Sequence, residues 1–221
     1  MDQNPLCAQL AGKVQRINDK GELVLRDGAH IIDSIGIELL RNRQAVDIGS
    51  GESDHGQYDE ERKVFGVSEA VCFSRSKALM DAMVDGQVFD ETFFAYKEDV
   101  DLSWRLNKLG WESLYSPSLS AFHARGWKYS FKDRENIPRA IRFHSFKNRR
   151  LMILKNETFS SFLRDIFPIL WFEIQSLIYI LFNEPFLIKS YWRILQEIPH
   201  ILHWRNSIKI KIQSASRSLV R

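Results

Sequence analysis

Cysteine is scarce in this chain, and its formal charges nearly balance. Cys7 and Cys72 are the two cysteines among 221 residues. Their separation matches no metal-binding motif, so we expect reduced thiols in a cytosolic protein. The first residues lack the basic and apolar regions of a secretory signal. A net charge of +3 is too small to indicate a protein that binds nucleic acid.

Apolar residues, by contrast, are plentiful. Hydrophobic residues make up 44% of the chain and aromatic residues 12%. These fractions favour a packed protein and exclude a disordered one. The length is sufficient for one domain with a good core, or for one domain with an appendage.

The most informative stretch runs from Phe89 to Arg105, where carboxylates and aromatic residues are crowded together. Glu98, Asp99 and Asp101 stand where a helix should begin, because leucines follow at the spacing of one buried helical face. Gly110 is the expected end of that helix. The leucines are Leu102, Leu106 and Leu109.

Two interpretations of these carboxylates are open. The dipole of a helix favours negative charge in its first turn, which would keep Asp99 ionised and suits a general base. Alternatively, the carboxylates are capping charges, and Asp101 pairs with Arg105 one turn later.

Short elements surround this helix. The run Ala70–Phe73 predicts a buried strand, and a helix is expected over Lys77–Met83. Residues Leu114–Ser116 predict a short strand that Pro117 ends. The polar, glycine-rich residues 47–61 predict a loop, either a mobile lid or a plain surface connection.

The ordered motifs resemble a known family. They are FDExFFAYxEDVDLxxR over Phe89–Arg105, Gly110-Trp111, Tyr115-x-Pro117 and His123-x-x-Gly126. Together they resemble the C-terminal part of the catalytic domain of family 2 glycosyltransferases, most of all the bacterial rhamnosyltransferase-like members that build cell-surface polysaccharide. The resemblance covers residues 11–160. It implies an α/β fold of the GT-A type, which is a Rossmann-like nucleotide-diphospho-sugar transferase domain.

The resemblance also implies a chemistry. A sugar would pass, with inversion, from a nucleotide-sugar donor to a cell-surface polysaccharide or lipid-linked acceptor. The acceptor hydroxyl has a very high pKa, so a carboxylate must take its proton. By resemblance this base is Asp99, and Glu98 and Asp101 shape its surroundings. His123 matches the histidine that holds the metal or the diphosphate, which implies a divalent cation such as Mn²⁺ or Mg²⁺.

Several further residues are candidates for substrate contact. Ser68 and Glu69 stand where the family usually has a Gly-Ala pair beside the substrate, so a longer acidic side chain is expected there. Trp104 and Trp111 either stack on sugar rings or pack in the core. Arg105 closes the acidic motif and completes this set.

The family's upstream half has no counterpart here. The metal-binding D-x-D of the family precedes every matched motif, so Asp99-Val100-Asp101 is not its equivalent. We therefore expect a C-terminal part of a glycosyltransferase: a fragment, a truncated product, or one chain of a split enzyme with a separate nucleotide-binding half. Such a chain would hold metal and nucleotide sugar weakly on its own. The alternative is a non-catalytic acceptor-binding or scaffold subunit, or an inactive remnant.

The sequence predicts two regions: the transferase part over 1–150, and a helical, basic, membrane-proximal extension over 151–221. The basic residues 128–150 are either a solvated face or a contact for lipid phosphates or an anionic acceptor. The apolar run Ile166–Phe182 is short for a membrane span and contains Glu173. We expect a cytoplasmic protein with in-plane helices resting on the inner face of the plasma membrane. An oligomer interface and a single poor transmembrane helix are the alternatives.

Overall fold

The computed structural model describes residues 4–68, 70–124 and 131–218. Strands and helices are combined in it, so the predicted α/β class is confirmed. The strands are β1 (Cys7–Arg16), β2 (Leu25–Arg26), β3 (Ala29–His30), β4 (Ile32–Ser34), β5 (Ile37–Leu39), β6 (Ala45–Asp47), β7 (Arg62–Val64), β8 (Phe73–Ser74) and β9 (Glu112–His123). The helices are α1 (Ser76–Ala82), α2 (Glu98–Lys108), α3 (Arg139–Asn156), α4 (Phe159–Arg164), α5 (Ile166–Asn183), α6 (Lys189–Gln196) and α7 (Ile198–Ser218).

One mixed sheet contains the two longest strands. Its order is β4-β1-β9-β7, and β8 also pairs with β1. β1 and β9 are parallel, whereas β4, β7 and β8 are antiparallel to their partners. A parallel pair needs a long crossover connection, and here that connection contains α1 and α2. The GT-A arrangement of this sheet stays a prediction.

β9 does not end at Pro117 as the sequence predicted. The strand continues to His123, and its register with β1 passes from Ala11–Tyr115 to Lys13–Ser120. Residues 116–119 therefore lie opposite Gly12 alone. A proline cannot donate a ladder hydrogen bond, and this bulge removes the need for one. Gly12 is required here, because a Cβ atom would lie 2.8 Å from the Leu119 carbonyl oxygen.

The buried strand predicted over Ala70–Phe73 is also wrong. The strand β8 comprises two residues, and the Phe73 side chain is 59% exposed. The apolar run lies at the edge of the sheet, where β8 pairs with β1 through Gln9 and Leu10. The helix expected next is confirmed as α1 within one residue at each end.

α2 forms as predicted from the leucine spacing. Leu102 and Leu106 are fully buried against Ala78 and Ala82 of α1, and Leu109 is partly buried at the edge of the same cluster. Gly110 follows α2 with φ of +87°, a left-handed conformation that glycine adopts without steric cost.

The C-terminal helices pack against the acidic motif. α3 begins after Pro138 and crosses residue 150 without interruption. One buried cluster joins Phe93 and Val100 to Leu151, Ile194 and Ile201. Residues on both sides of position 150 thus share a core.

α5 is the exception to this burial. Among the described residues it is the one helix long and apolar enough to cross a membrane, and 11% of it is buried.

Candidate functional site

The backbone before α2 is strained. Phe94, Tyr96 and Lys97 have φ angles of 61°, 70° and 72°, a left-handed region that residues other than glycine rarely adopt. Such conformations cost free energy and cluster at functional sites. This strained loop, Phe94–Lys97, leads directly into the first turn of α2.

Two side chains of α3 hold the strained loop and the two residues before it. The Nδ2 atom of Asn148 lies 2.7, 2.7 and 2.8 Å from the carbonyl oxygens of Phe93, Ala95 and Tyr96. Lys147 donates from Nζ to the Thr92 carbonyl oxygen over 2.7 Å. Lys147 and Asn148 therefore act on the backbone that positions the candidate base.

Asp99 lies half-buried at the start of α2, where the Val100 amide donates to its Oδ1 over 2.8 Å. Burial raises the pKa of Asp99 to about 6; the charges of Glu98 and Asp47 add to this rise, and Lys97 opposes it. Burial is thus the largest influence on Asp99 and favours its protonated form. A pKa near 6 still leaves the carboxylate mostly ionised at neutral pH.

Glu98 lies next to Asp99 and contributes negative charge to it. Its Oε2 atom is buried and has no hydrogen-bond partner within the part of the chain that the structure describes. A supporting role for Glu98 therefore stays a prediction with a physical basis: it raises the proton affinity of the neighbouring carboxylate.

Asp101 belongs to a buried ion network. It accepts from Arg105 Nε at 3.0 Å, from Lys155 Nζ at 3.0 Å and from Asn156 Nδ2 at 2.7 Å. Lys155 also donates to Asp90 over 2.7 Å. Burial alone would raise the pKa of Asp101, but Lys155 and Arg105 keep it below its usual range. The structure thus supports the pairing interpretation of Asp101, which anchors α2 to α3.

Arg105 and Trp104, which were predicted to contact substrate, lie in the core of the structure. Arg105 is 1% exposed, and its guanidinium donates to Asp101 and to the carbonyl oxygens of Ala82 and Val88. Trp104 is 9% exposed and packs edge-on against Phe65. Both side chains lie in the core, so neither one presents a surface to a sugar.

The three remaining substrate candidates lie in different surroundings. Trp111 is partly buried against the cluster formed by α1 and α2, which supports its packing role. Ser68 lines a narrow cleft of about 10 Å³ that it shares with His123 and Asp33. Glu69 lies outside the described residues.

His123 ends β9 in a defined orientation. Its Nδ1–H donates to Asp33 Oδ2 over 2.8 Å, and Asp33 also accepts from Arg16 Nε at 3.0 Å. A carboxylate partner on Nδ1 leaves the lone pair on Nε2, as in many metal-ligating histidines. However, residues 4–68, 70–124 and 131–218 contain no group of three His, Cys, Asp or Glu side chains that could hold a metal ion. Metal binding at His123 therefore stays a prediction.

A cavity of about 570 Å³ beside the strained loop was missed by sequence reasoning. Tyr96 and Lys97 border it, together with residues of α3 and α5. Its arginines belong to the basic segment, and the solvated-face interpretation is wrong for Arg149 and Arg150, each 8% exposed. The sequence did contain one indication of this cavity: Arg142 and Arg149 are seven residues apart, so they share a helical face. Their acidic partners come from more distant parts of the chain.

Comparison with known proteins gives a short similarity. No protein-family model matches the chain. A segment of 52 residues is 58% identical to N-acetylglucosaminyl-diphospho-decaprenol L-rhamnosyltransferase of Mycobacterium tuberculosis, in both strain CDC 1551 / Oshkosh and strain ATCC 25618 / H37Rv. The segment covers 23% of this chain and 17% of that protein. Over this segment the chain is similar to a glycosyltransferase.

Proposed function

We propose that this chain serves in the inverting transfer of a sugar from a nucleotide-sugar donor to a lipid-linked acceptor, with Asp99 as general base. The observation that carries the proposal is the segment of 52 residues that is 58% identical to a rhamnosyltransferase. Burial also raises the pKa of Asp99 to about 6. A base with a pKa near the working pH combines ionisation with proton affinity. The name of the similar mycobacterial protein specifies a sugar diphosphate on an isoprenoid, and we extend that acceptor class to this chain.

The proposed step balances in atoms and charge. The acceptor hydroxyl oxygen forms a bond to the anomeric carbon of the donor sugar, and its proton passes to an Oδ atom of Asp99. The bond from that carbon to the diphosphate breaks on the opposite face, and the nucleoside diphosphate leaves with the electron pair. Charge develops on the leaving group, where cationic groups stabilise it.

Metal dependence is proposed separately. When bound, Mn²⁺ or Mg²⁺ would neutralise the leaving diphosphate. Among the described residues, the candidate ligand is the imidazole of His123, which Asp33 orients, and Asp33 also pairs with Arg16. No part of the proposed step at Asp99 depends on this metal.

A transfer assay tests the proposal. The purified chain is supplied with a panel of nucleotide sugars, an isoprenoid-diphosphate-linked N-acetylglucosamine, and either Mn²⁺, Mg²⁺ or a chelator. We expect Asp99→Asn to lower the transfer rate by at least about 10²-fold, because a general base contributes that much. The wild-type rate should rise with pH through about 6, as Asp99 loses its proton.

The control is Asp81→Asn, which removes a carboxylate that is 43% exposed on α1. It should retain the wild-type rate. An Asp99→Asn protein as active as the control would contradict the proposal. A folded wild-type chain that binds the acceptor but transfers no sugar would instead support an acceptor-binding or scaffold subunit.

A further inference from the structure

The cavity beside the strained loop is lined by opposing faces of α3 and α5. Arg142, Arg149 and Arg150 line it from α3, and Phe172 and Tyr179 line it from α5. Arg134 lies at the same cavity. Tyr96 and Lys97 form another part of the wall, so the wall includes a residue two positions before Asp99 in the chain.

The cavity holds more positive than negative charge. Glu184 pairs with Arg134 and Arg142, and Glu173 pairs with Arg149 and Arg150. Four guanidinium groups therefore share two carboxylates, an excess of two positive charges before Lys97 is counted. Burying like charges together is unfavourable without a counter-ion, so the cavity is complementary to an anion of about two negative charges.

Unsatisfied donors support the same conclusion. The Nε atoms of Arg142, Arg149 and Arg150 are buried and have no hydrogen-bond partner in the described part of the chain. Burial and the neighbouring Arg150 lower the pKa of Arg149 despite its pairing with Glu173. Unpaired buried donors are costly, and a phosphate oxygen is a strong acceptor for a guanidinium.

An apolar surface adjoins the charged cavity. Phe172, Tyr179 and Ile180 of α5 face the arginines, whereas its outward face exposes apolar side chains. Phe167 is 83% exposed, and Trp171 is 63% exposed. A free phosphate or a nucleotide has no hydrocarbon to bury against such a surface, whereas a hydrocarbon chain attached to a phosphate does.

We propose that this arginine cavity binds the diphosphate of an isoprenoid-linked acceptor, and that the isoprenoid chain leaves along the apolar face of α5. The inference rests on the proposed function, since it assigns a binding site to the acceptor of that reaction. Bidentate guanidinium groups suit the two phosphates, and the sugar would then extend toward the strained loop and Asp99.

Isothermal titration of the full chain tests the inference, with farnesyl diphosphate, inorganic diphosphate and UDP as probes. We expect farnesyl diphosphate to bind at least about tenfold more tightly than either other probe, because it alone fits both surfaces. Arg149→Gln and Arg150→Gln should each weaken its binding by about tenfold, the effect of one charge-assisted hydrogen bond.

Two further variants separate binding from folding. Glu173→Gln should tighten binding severalfold, since it removes a competing anion, whereas a structural role for the pairs predicts no gain. Arg193→Gln is the matched control: Arg193 lies on α6, outside the cavity, and pairs with Glu197. Its loss should leave binding unchanged.

The inference would be overturned by a folded wild-type chain that binds no farnesyl diphosphate, by UDP binding as tightly as farnesyl diphosphate, or by equal weakening in Arg193→Gln. Asp99→Asn should bind the probe normally. Normal probe binding without any sugar transfer would therefore count against the proposed function alone. Transfer that depends on Asp99 but not on the arginines would count against the cavity alone.

Discussion

Asn148 is a single side chain on which the geometry before α2 depends. Its amide nitrogen reaches three carbonyl oxygens of the segment that contains the left-handed residues. The surrounding structure must stabilise such backbone, since the conformation is unfavourable in isolation. Asn148 is itself fully buried, so water cannot replace these hydrogen bonds.

We expect Asn148→Leu to lower the free energy of unfolding by about 2–4 kcal/mol, because it leaves buried carbonyl oxygens without a donor. Urea denaturation followed by circular dichroism measures the change. Asn183→Leu is the control, since Asn183 is exposed and donates within its own helix. A loss below about 1 kcal/mol, similar to an ordinary hydrogen bond, would show that the loop does not depend on Asn148.

At the scale of elements, helices were predictable where their signals are local. The leucine spacing, the first-turn carboxylates and Gly110 specify α2 within a few residues of sequence. Pro138 likewise precedes α3. The extension of β9 past Pro117 could not be predicted, because it depends on Gly12 about a hundred residues earlier.

In the candidate site, too, local features were predictable from the sequence and features that depend on distant residues were not. The motif predicts Asp99 as the candidate base, but it does not predict the cause of its proton affinity, because Asp47 and the burial come from other elements. The burial of Arg105 depends on Asp101, Ala82 and Val88. The arginine cavity requires α5 to lie opposite α3, where Glu173 pairs with Arg149 and Arg150. A basic segment alone does not reveal that arrangement.

At the scale of the whole molecule, α5 presents an apolar surface that the rest of the described chain leaves open. We propose that this surface lies in the interface of an anionic membrane, as expected for the inner leaflet. The purified chain should then sediment with vesicles that contain phosphatidylglycerol. Replacing two exposed aromatic residues, Phe167→Ser with Trp171→Ser, should reduce the bound fraction severalfold.

Phe73→Ser is the control for this experiment, because Phe73 is exposed on β8, away from α5. It should bind vesicles like the wild type. The alternative outcome is a chain that does not bind vesicles and elutes as a dimer. If the α5 substitutions dissociate that dimer, α5 forms an oligomer interface instead.

The ionisation of Asp99 is the property on which the proposed function depends. A ¹³C NMR titration of its carboxyl carbon in the full chain, assigned by comparison with Asp99→Asn, measures it directly. We expect a midpoint near pH 6, where burial places the pKa of Asp99. A midpoint below about 4, the ordinary value for aspartate, would show a solvated capping carboxylate and contradict its assignment as the base.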